Sequence, residues 1–213
     1  PARSIGGPGR ILFPVDEAGQ GGLDRNGDGD ASDLVLAYRR ASGGTVNVGL
    51  AALLDEDHQN RRSEMSGPLV AINAREVANG RDLNGDGDTA DTVGYVVDWV
   101  NGRVHKGPAG MSLRTSTTWM TVAYSELHNG RDHNLDGDVN DVVLDFTNVA
   151  TGAAWNTQLA LSAWDSSHGV NSGDHPLVVA EVDEAASSST DLNGDGDTND
   201  VLLVRVDPAT RTI

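Results

Sequence analysis

Ten residues in the pattern Asp-x-Asn-x-Asp-Gly-Asp-x-x-Asp occur four times in a chain of 213 residues. The copies begin at Asp24, Asp82, Asp132 and Asp191, 50 to 59 residues apart. Four aspartates packed into ten residues repel one another, so each copy needs a compensating positive charge to be stable. A period of this length is that of a solenoid or propeller unit, whose apolar face is buried only against its neighbours. The pattern therefore fixes a repeat architecture and a cation-seeking loop together.

The donors are all oxygen. In the first copy Asp24, Asn26 and Asp28 present side chains at alternate positions, and Gly29 permits a sharp turn. Asp30 offers its backbone carbonyl, with its carboxylate as added charge, and Asp33 closes the site. The same roles fall to Asp82, Asn84, Asp86, Asp88 and Asp91; to Asp132, Asn134, Asp136, Asp138 and Asp141; and to Asp191, Asn193, Asp195, Asp197 and Asp200. Ca²⁺ takes six to eight oxygens in flexible geometry, whereas Mg²⁺ keeps its waters and a strict octahedron. An oxygen-only set speaks against Zn²⁺ and Cu²⁺. About four Ca²⁺ are expected. A set of Asx turns that merely satisfy backbone groups is the alternative, and it leaves the repulsion uncompensated.

Two positions vary informatively. Glu17, Glu76, Glu126 and Glu184 each end the apolar run before a loop. They are candidates for an extra ligand, or else exposed strand-end acids. The fourth loop position is Gly27, Gly85 and Gly194 in three copies and Leu135 in the third. If the position needs positive φ, the third loop is the weakest.

The flanking segments read as strands. An apolar run precedes each loop: Ile11–Glu17, Leu69–Glu76, Met120–Glu126 and Leu177–Glu184. A β-rich run leaves it: Leu34–Tyr38, Thr92–Val97, Val142–Phe146 and Val201–Val206. Turn residues follow, among them Asn101-Gly102 and Thr151-Gly152, and Asn-Gly between apolar runs signals a hairpin. A third run spans Thr45–Leu50, Arg103–His105, Ala154–Leu159 and Arg211–Ile213. A weaker strand opens each unit at Arg3–Ile5, Arg62–Met65, Ser112–Ser116 and Gly169–Ser172. No helical stripe of useful length is present. The expected fold is all-β: a β-propeller or propeller-like array of about four four-stranded blades, one Ca²⁺ loop in each. The chain is expected to be one repeat domain, 1–213, with repeats 1–57, 58–109, 110–160 and 161–213, the last truncated within its third strand.

Composition narrows function. The net charge is −17, and 16 of the 32 acids lie in the four loops, so the acidity is largely a metal signature. It opposes binding to nucleic acid and leaves no basic patch for anionic lipid. Glycine, 26 residues, is well above the usual ~7% and favours turns over long helices. There is no cysteine, and no apolar run long enough for a membrane-spanning helix. The chain begins Pro-Ala-Arg-Ser, without Met or signal peptide, and reads as a mature or excised segment.

The loops resemble the EF-hand-like loops of dockerins, thrombospondin type 3 repeats and the FG-GAP blades of integrin propellers, which bind Ca²⁺. They differ in closing at the tenth position, where FG-GAP loops close at the ninth and EF-hands at the twelfth with Glu. The flanking helices of an EF-hand are also missing. The wider order of strand, acid, loop, strand, turn and strand is similar to bacterial extracellular propeller repeats with calcium loops. That resemblance covers nearly the whole chain and implies Ca²⁺ and a surface setting.

No catalytic constellation is present. His58, His105, His128, His133, His168 and His175 do not recur by repeat, and none has a Ser or Cys partner in a recognisable motif. Trp99, Trp119, Trp155 and Trp164 suit a core or blade interface; an exposed one could stack on a sugar. Residues 55–62 form a polar insertion, most simply a solvated loop. The expected protein is not an enzyme. It is an extracellular or cell-surface calcium-binding structural or adhesive module, able to self-associate or meet a cell-surface partner through its incomplete last blade. The alternative is a carbohydrate-binding module or an enzyme that uses a propeller face.

Overall fold

A computed structural model describes residues 4–7, 9–53, 65–109, 112–163, 167–172, 175–188 and 190–213. The polar insertion 55–62, His58, Trp164 and the start of the opening strands at Arg3 and Arg62 lie outside these residues. The fold is all-β, with 15 described strands in three antiparallel sheets and only two short 3₁₀ turns, Val77–Asn79 and Leu127–Asn129. Among the described residues, no helix is long and apolar enough to cross a membrane. The chain divides into two compact units, Pro1–Gly107 and Pro108–Ile213, each holding two loops.

The first unit begins with β1 (Ile5–Gly7), β2 (Arg10–Asp16), β3 (Leu34–Arg39) and β4 (Thr45–Leu53). It continues with β5 (Met65–Ser66), β6 (Leu69–Arg75), β7 (Thr92–Asp98) and β8 (Arg103–Ala109), whose last residues enter the second unit. The loops connect β2 to β3 and β6 to β7, partners in full register from Asp16↔Leu34 to Ile11↔Arg39 and from Arg75↔Thr92 to Leu69↔Asp98. Each loop is thus the connection of a β-hairpin, and closing the loop fixes the register.

Repeats one and two do not form separate four-stranded sheets. They share one eight-stranded sheet in the order β1-β2-β3-β4-β6-β7-β8, with β5 beside β6. The cause lies in β4. Its pairing with β3 slips between Val35 and Ala37, where Gly49 takes φ 73°, and the strand bends. Beyond the bend Ala52 and Leu53 pair with Ala74 and Asn73 of the next repeat. Such a bulge re-aims a strand at a sheet edge.

The second unit holds β9 (Ser112–Thr115), β10 (Trp119–Ser125), β11 (Val142–Asn148) and β12 (Ala154–Ala160), which form one four-stranded sheet. A three-stranded sheet follows, of β13 (Ser167–Ser172), β14 (His175–Asp183) and β15 (Val201–Val206). β12 repeats the bend of β4: its pairing slips between Val143 and Asp145, Gln158 takes φ 61°, and Leu161 bridges Val182 of the next repeat. The third strand expected at Arg211–Ile213 is reduced to a single bridge, Asp207↔Thr212.

The cores follow from the strand pattern. Val142, Leu144 and Phe146 on one face of β11 pack with Val178, Ala180, Val182 and Val206 of the following sheet. In the first unit Leu36, Tyr38, Val70, Ile72 and Val96 are buried. Trp99 and Trp119 are buried, and Trp155 stacks on Phe146 at 5.7 Å. The Asn101-Gly102 and Thr151-Gly152 turns are closed by Asp98 and Asn148, whose side chains accept from backbone N–H groups at 3.0–3.1 Å. Gly102 and Gly152 supply φ 70° and 74°.

Candidate metal centres

Each loop is built on the glutamate that follows its first strand. The backbone N–H of Glu17, Glu76, Glu126 and Glu184 donates to the carbonyl of the closing Asp33, Asp91, Asp141 and Asp200 at 3.0–3.1 Å. All four glutamate side chains are 0% exposed, so none is the exposed strand-end acid that was one reading of the sequence. The physical reason is the loop itself, whose backbone donors curl inward and need an acceptor. One carboxylate oxygen accepts from the second loop residue, Arg25, Leu83, His133 or Leu192. In the last three copies it also accepts from the third, Asn84, Asn134 or Asn193. The other oxygen accepts from the N–H of Asp33 at 3.2 Å and of Asp91 at 3.1 Å. In Glu126 and Glu184 that second oxygen is buried and has no hydrogen-bond partner.

The loop interior repeats its bonds copy by copy. The first aspartate, Asp24, Asp82, Asp132 or Asp191, accepts from the N–H groups at loop positions four and six. The Asn side-chain oxygen accepts from position five, and its amide donates to the closing aspartate at 2.9–3.4 Å. Asp28, Asp86, Asp136 and Asp195 accept from position seven at 3.0–3.1 Å. Asp30, Asp88, Asp138 and Asp197 accept from position nine. The chain is thus wound around its own acids. Gly29, Gly87, Gly137 and Gly196 turn it at φ 100–109°. Position four also needs positive φ: Gly27, Gly85 and Gly194 take 79–93°, and Leu135 is held at 66°.

This winding brings four groups of acids together, each able to present one ligand oxygen within 4.8 Å of the others. They are Glu17, Asp30 and Asp33; Glu76, Asp88 and Asp91; Glu126, Asp136 and Asp141; and Asp195, Asp197 and Asp200. The first aspartate of each loop lies outside these groups, as do Asp28, Asp86 and Asp138. Glu184 is fully buried beside the fourth loop but is not in its group.

The electrostatics are those of carboxylates forced into company. Burial, then contact with Asp28, pushes Asp33 up to about 6. Burial, then contact with Asp136, pushes Asp141 up to about 7. Burial likewise raises Glu126. In the first loop Asp28, and in the second Asp86, is held low, first by the N–H groups of Asp30 and Asp88. Neighbouring acids whose affinities for a proton are driven apart ionise together only at a cost, which a compensating charge would relieve. A hard divalent cation could supply that charge. The donor set fits one: oxygen only, at least three carboxylates per group, and in the third group a fully buried Glu126 oxygen with no other partner.

Two features escaped the sequence reading. One is the depth of the glutamates. The other is a polar residue three positions after them. Asn79 is fully buried; its side chain accepts from Ala51 N–H and donates to the carbonyls of Ala51 and Arg75 at 2.7–2.9 Å. Asn129 makes the same three bonds to Ala109 and Ser125, and Ser187 bonds Ala160 and Asp183. The signal was a recurring Glu-x-x-Asn/Ser. No protein-family model matches the chain, and no curated protein matches its sequence.

Proposed function

We propose that this chain is a calcium-stabilised structural module in which each loop holds one Ca²⁺. The observation that carries the reading is the fourfold recurrence of one bonding pattern around converging acids, with a buried glutamate under every loop. The residues that would hold the ion are those of the four acidic groups, joined by the aspartates and asparagines that shape each loop. Bound there, Ca²⁺ supplies the charge that lets all of the acids ionise together. Because each loop joins the two strands of a hairpin, metal binding contributes directly to folding free energy. Millimolar Ca²⁺ is available outside cells, which favours an extracellular or cell-surface setting. Within the second unit, the four-stranded sheet β9–β12 has the strand number of a propeller blade.

The test is calorimetric titration of Ca²⁺ into chelator-treated protein, paired with thermal unfolding with and without EDTA. About four ions are expected, with a clear rise in unfolding temperature and a much weaker response to Mg²⁺. Absence of both heat and stabilisation at millimolar Ca²⁺ would refute the proposal.

A further inference from the structure

The third residue of the calcium motif is Asn in all four copies, although Asp there would offer a cation more charge. The surroundings of that residue give a reason. In the first unit the Asn26 amide donates to the carbonyl of Ala78, at 2.9 Å, in the 3₁₀ turn of the following repeat. In the second unit the Asn134 amide donates to Ala186, in the corresponding turn of its following repeat, at 2.6 Å. Both contacts span 52 residues and join equivalent positions. Asn26 is 6% exposed and Asn134 0%. The turns are also pressed onto the loops. A Cβ on Gly80 would stand 2.8 Å from that of Asp28, and Ser188 donates its hydroxyl to the Asn134 carbonyl.

The same turn is anchored from behind. Asn79 holds it to Ala51 at the bent end of β4, and Ser187 holds its counterpart to Ala160 at the end of β12. The glutamate that carries each turn's own loop, Glu76 or Glu184, leads into that turn. One short turn therefore touches its own acidic loop, the preceding loop, and the outer strand of the preceding repeat.

We propose that Asn26 and Asn134 are positioning residues that couple calcium binding in their loops to docking of the next repeat. This rests on the calcium reading above. The Asn oxygen belongs to the loop, and its amide nitrogen is held by a carbonyl from the neighbour. A docked neighbour thereby fixes the orientation of the Asn, and a cation that favours this orientation favours docking in return. Such coupling is reciprocal by necessity. Asp cannot serve, because it has no hydrogen to give the carbonyl. The fourth loop provides an internal control: Asn193 is exposed, and among the described residues its amide donates to Asp195 and Asp200 of its own loop.

The test pairs Asn26→Asp with Asn193→Asp. NMR follows the Gly29, Gly137 and Gly196 amides as loop-by-loop reporters of Ca²⁺, and hydrogen exchange follows the Ala51 and Ala160 amides at the two seams. In the unaltered protein Ca²⁺ slows exchange at both seams. In N26D, Gly29 still reports bound Ca²⁺, while Ala51 loses about tenfold of its calcium-dependent protection and Ala160 keeps its own. N193D tightens binding at Gly196 and leaves both seams unchanged. Equal calcium-dependent protection of Ala51 in N26D and the parent would overturn the coupling while leaving the calcium sites intact. Glycine amides that ignore Ca²⁺ would refute the calcium reading itself, and the coupling with it.

Discussion

Leu135 is the one residue that departs from the backbone demand of its loop, and replacing it with glycine measures that demand. Its φ of 66° places an L-residue in the left-handed region, at a position where the other copies carry glycine. Such a conformation costs a residue with a Cβ roughly 1–2 kcal/mol. The side chain gives nothing back through burial, since it is 69% exposed. Its N–H is committed, donating to Asp132 at 2.6 Å as the glycine N–H groups do in the other loops, so the backbone cannot relax away without breaking the winding. Glycine brings its own penalty of roughly 0.5–1 kcal/mol from the freer unfolded chain. The expected net gain for Leu135→Gly is about 0.7 kcal/mol. It reads as an increase of about threefold in Ca²⁺ affinity at the third loop, or as a rise of about 2 °C in unfolding temperature in EDTA. Chelator-competition titration separates the first outcome from the second. Gly85→Leu in the second loop should produce the opposite change, at least as large, since φ there is 93°. If L135G changes neither quantity, or if G85L is tolerated without loss, position four carries no strain and the ranking of the loops built on it is wrong.

Two further perturbations address buried acids. Asp145 is half-buried on β11 between the core residues Leu144 and Phe146, and is pushed up to about 7 by burial, only partly offset by the hydroxyl of Tyr124 at 3.0 Å. A carboxyl raised in the folded state favours folding fully at pH below its unfolded value of about 4, and that stability is lost as pH rises toward 7. The loss is up to about 4 kcal/mol; Asp145→Asn should make the slope shallower, leaving the share of Asp33, Asp141 and Glu126, and stabilise the protein at pH 8, as read by urea unfolding in EDTA. Glu76→Gln keeps the shape but can no longer accept on both sides, leaving a backbone N–H of Leu83, Asn84 or Asp91 unpaired. Denaturation in EDTA should show a loss of about 1–3 kcal/mol before any metal is involved, and an unchanged midpoint would show that the glutamate is not structural.

What the sequence disclosed, and what it hid, divides along the range of the interactions. The strands β2, β3, β6, β7, β10 and β11 were legible because each is an apolar run bounded by a loop whose spacing cannot slip. The turns at Gly102 and Gly152 were legible because a positive φ selects glycine locally. The same local logic made Leu135 stand out before its φ was known. The merging of two repeats into one sheet was not legible. It depends on a bend at Gly49; the matching bend at Gln158 yields only the Leu161↔Val182 bridge, and nothing in a lone Gln announces a left-handed residue. The burial of Glu17, Glu76, Glu126 and Glu184 was hidden for a related reason. A glutamate at a strand end looks solvated until the loop folds back over it, and the acceptor it provides is needed only by backbone donors several residues away.

The third-position Asn shows how far this limit reaches. Read inside its loop, it is a ligand position at which Asn and Asp are interchangeable. Read in the fold, Asn26 and Asn134 face a carbonyl of the next repeat, and only an amide can both accept from its own loop and donate across the seam. The loop motif therefore specifies an interface as well as a converging group of acids. Metal affinity and repeat stacking are then not separable properties of this sequence. A substitution at the seam reads out at the loop, and removal of the cation reads out at the seam.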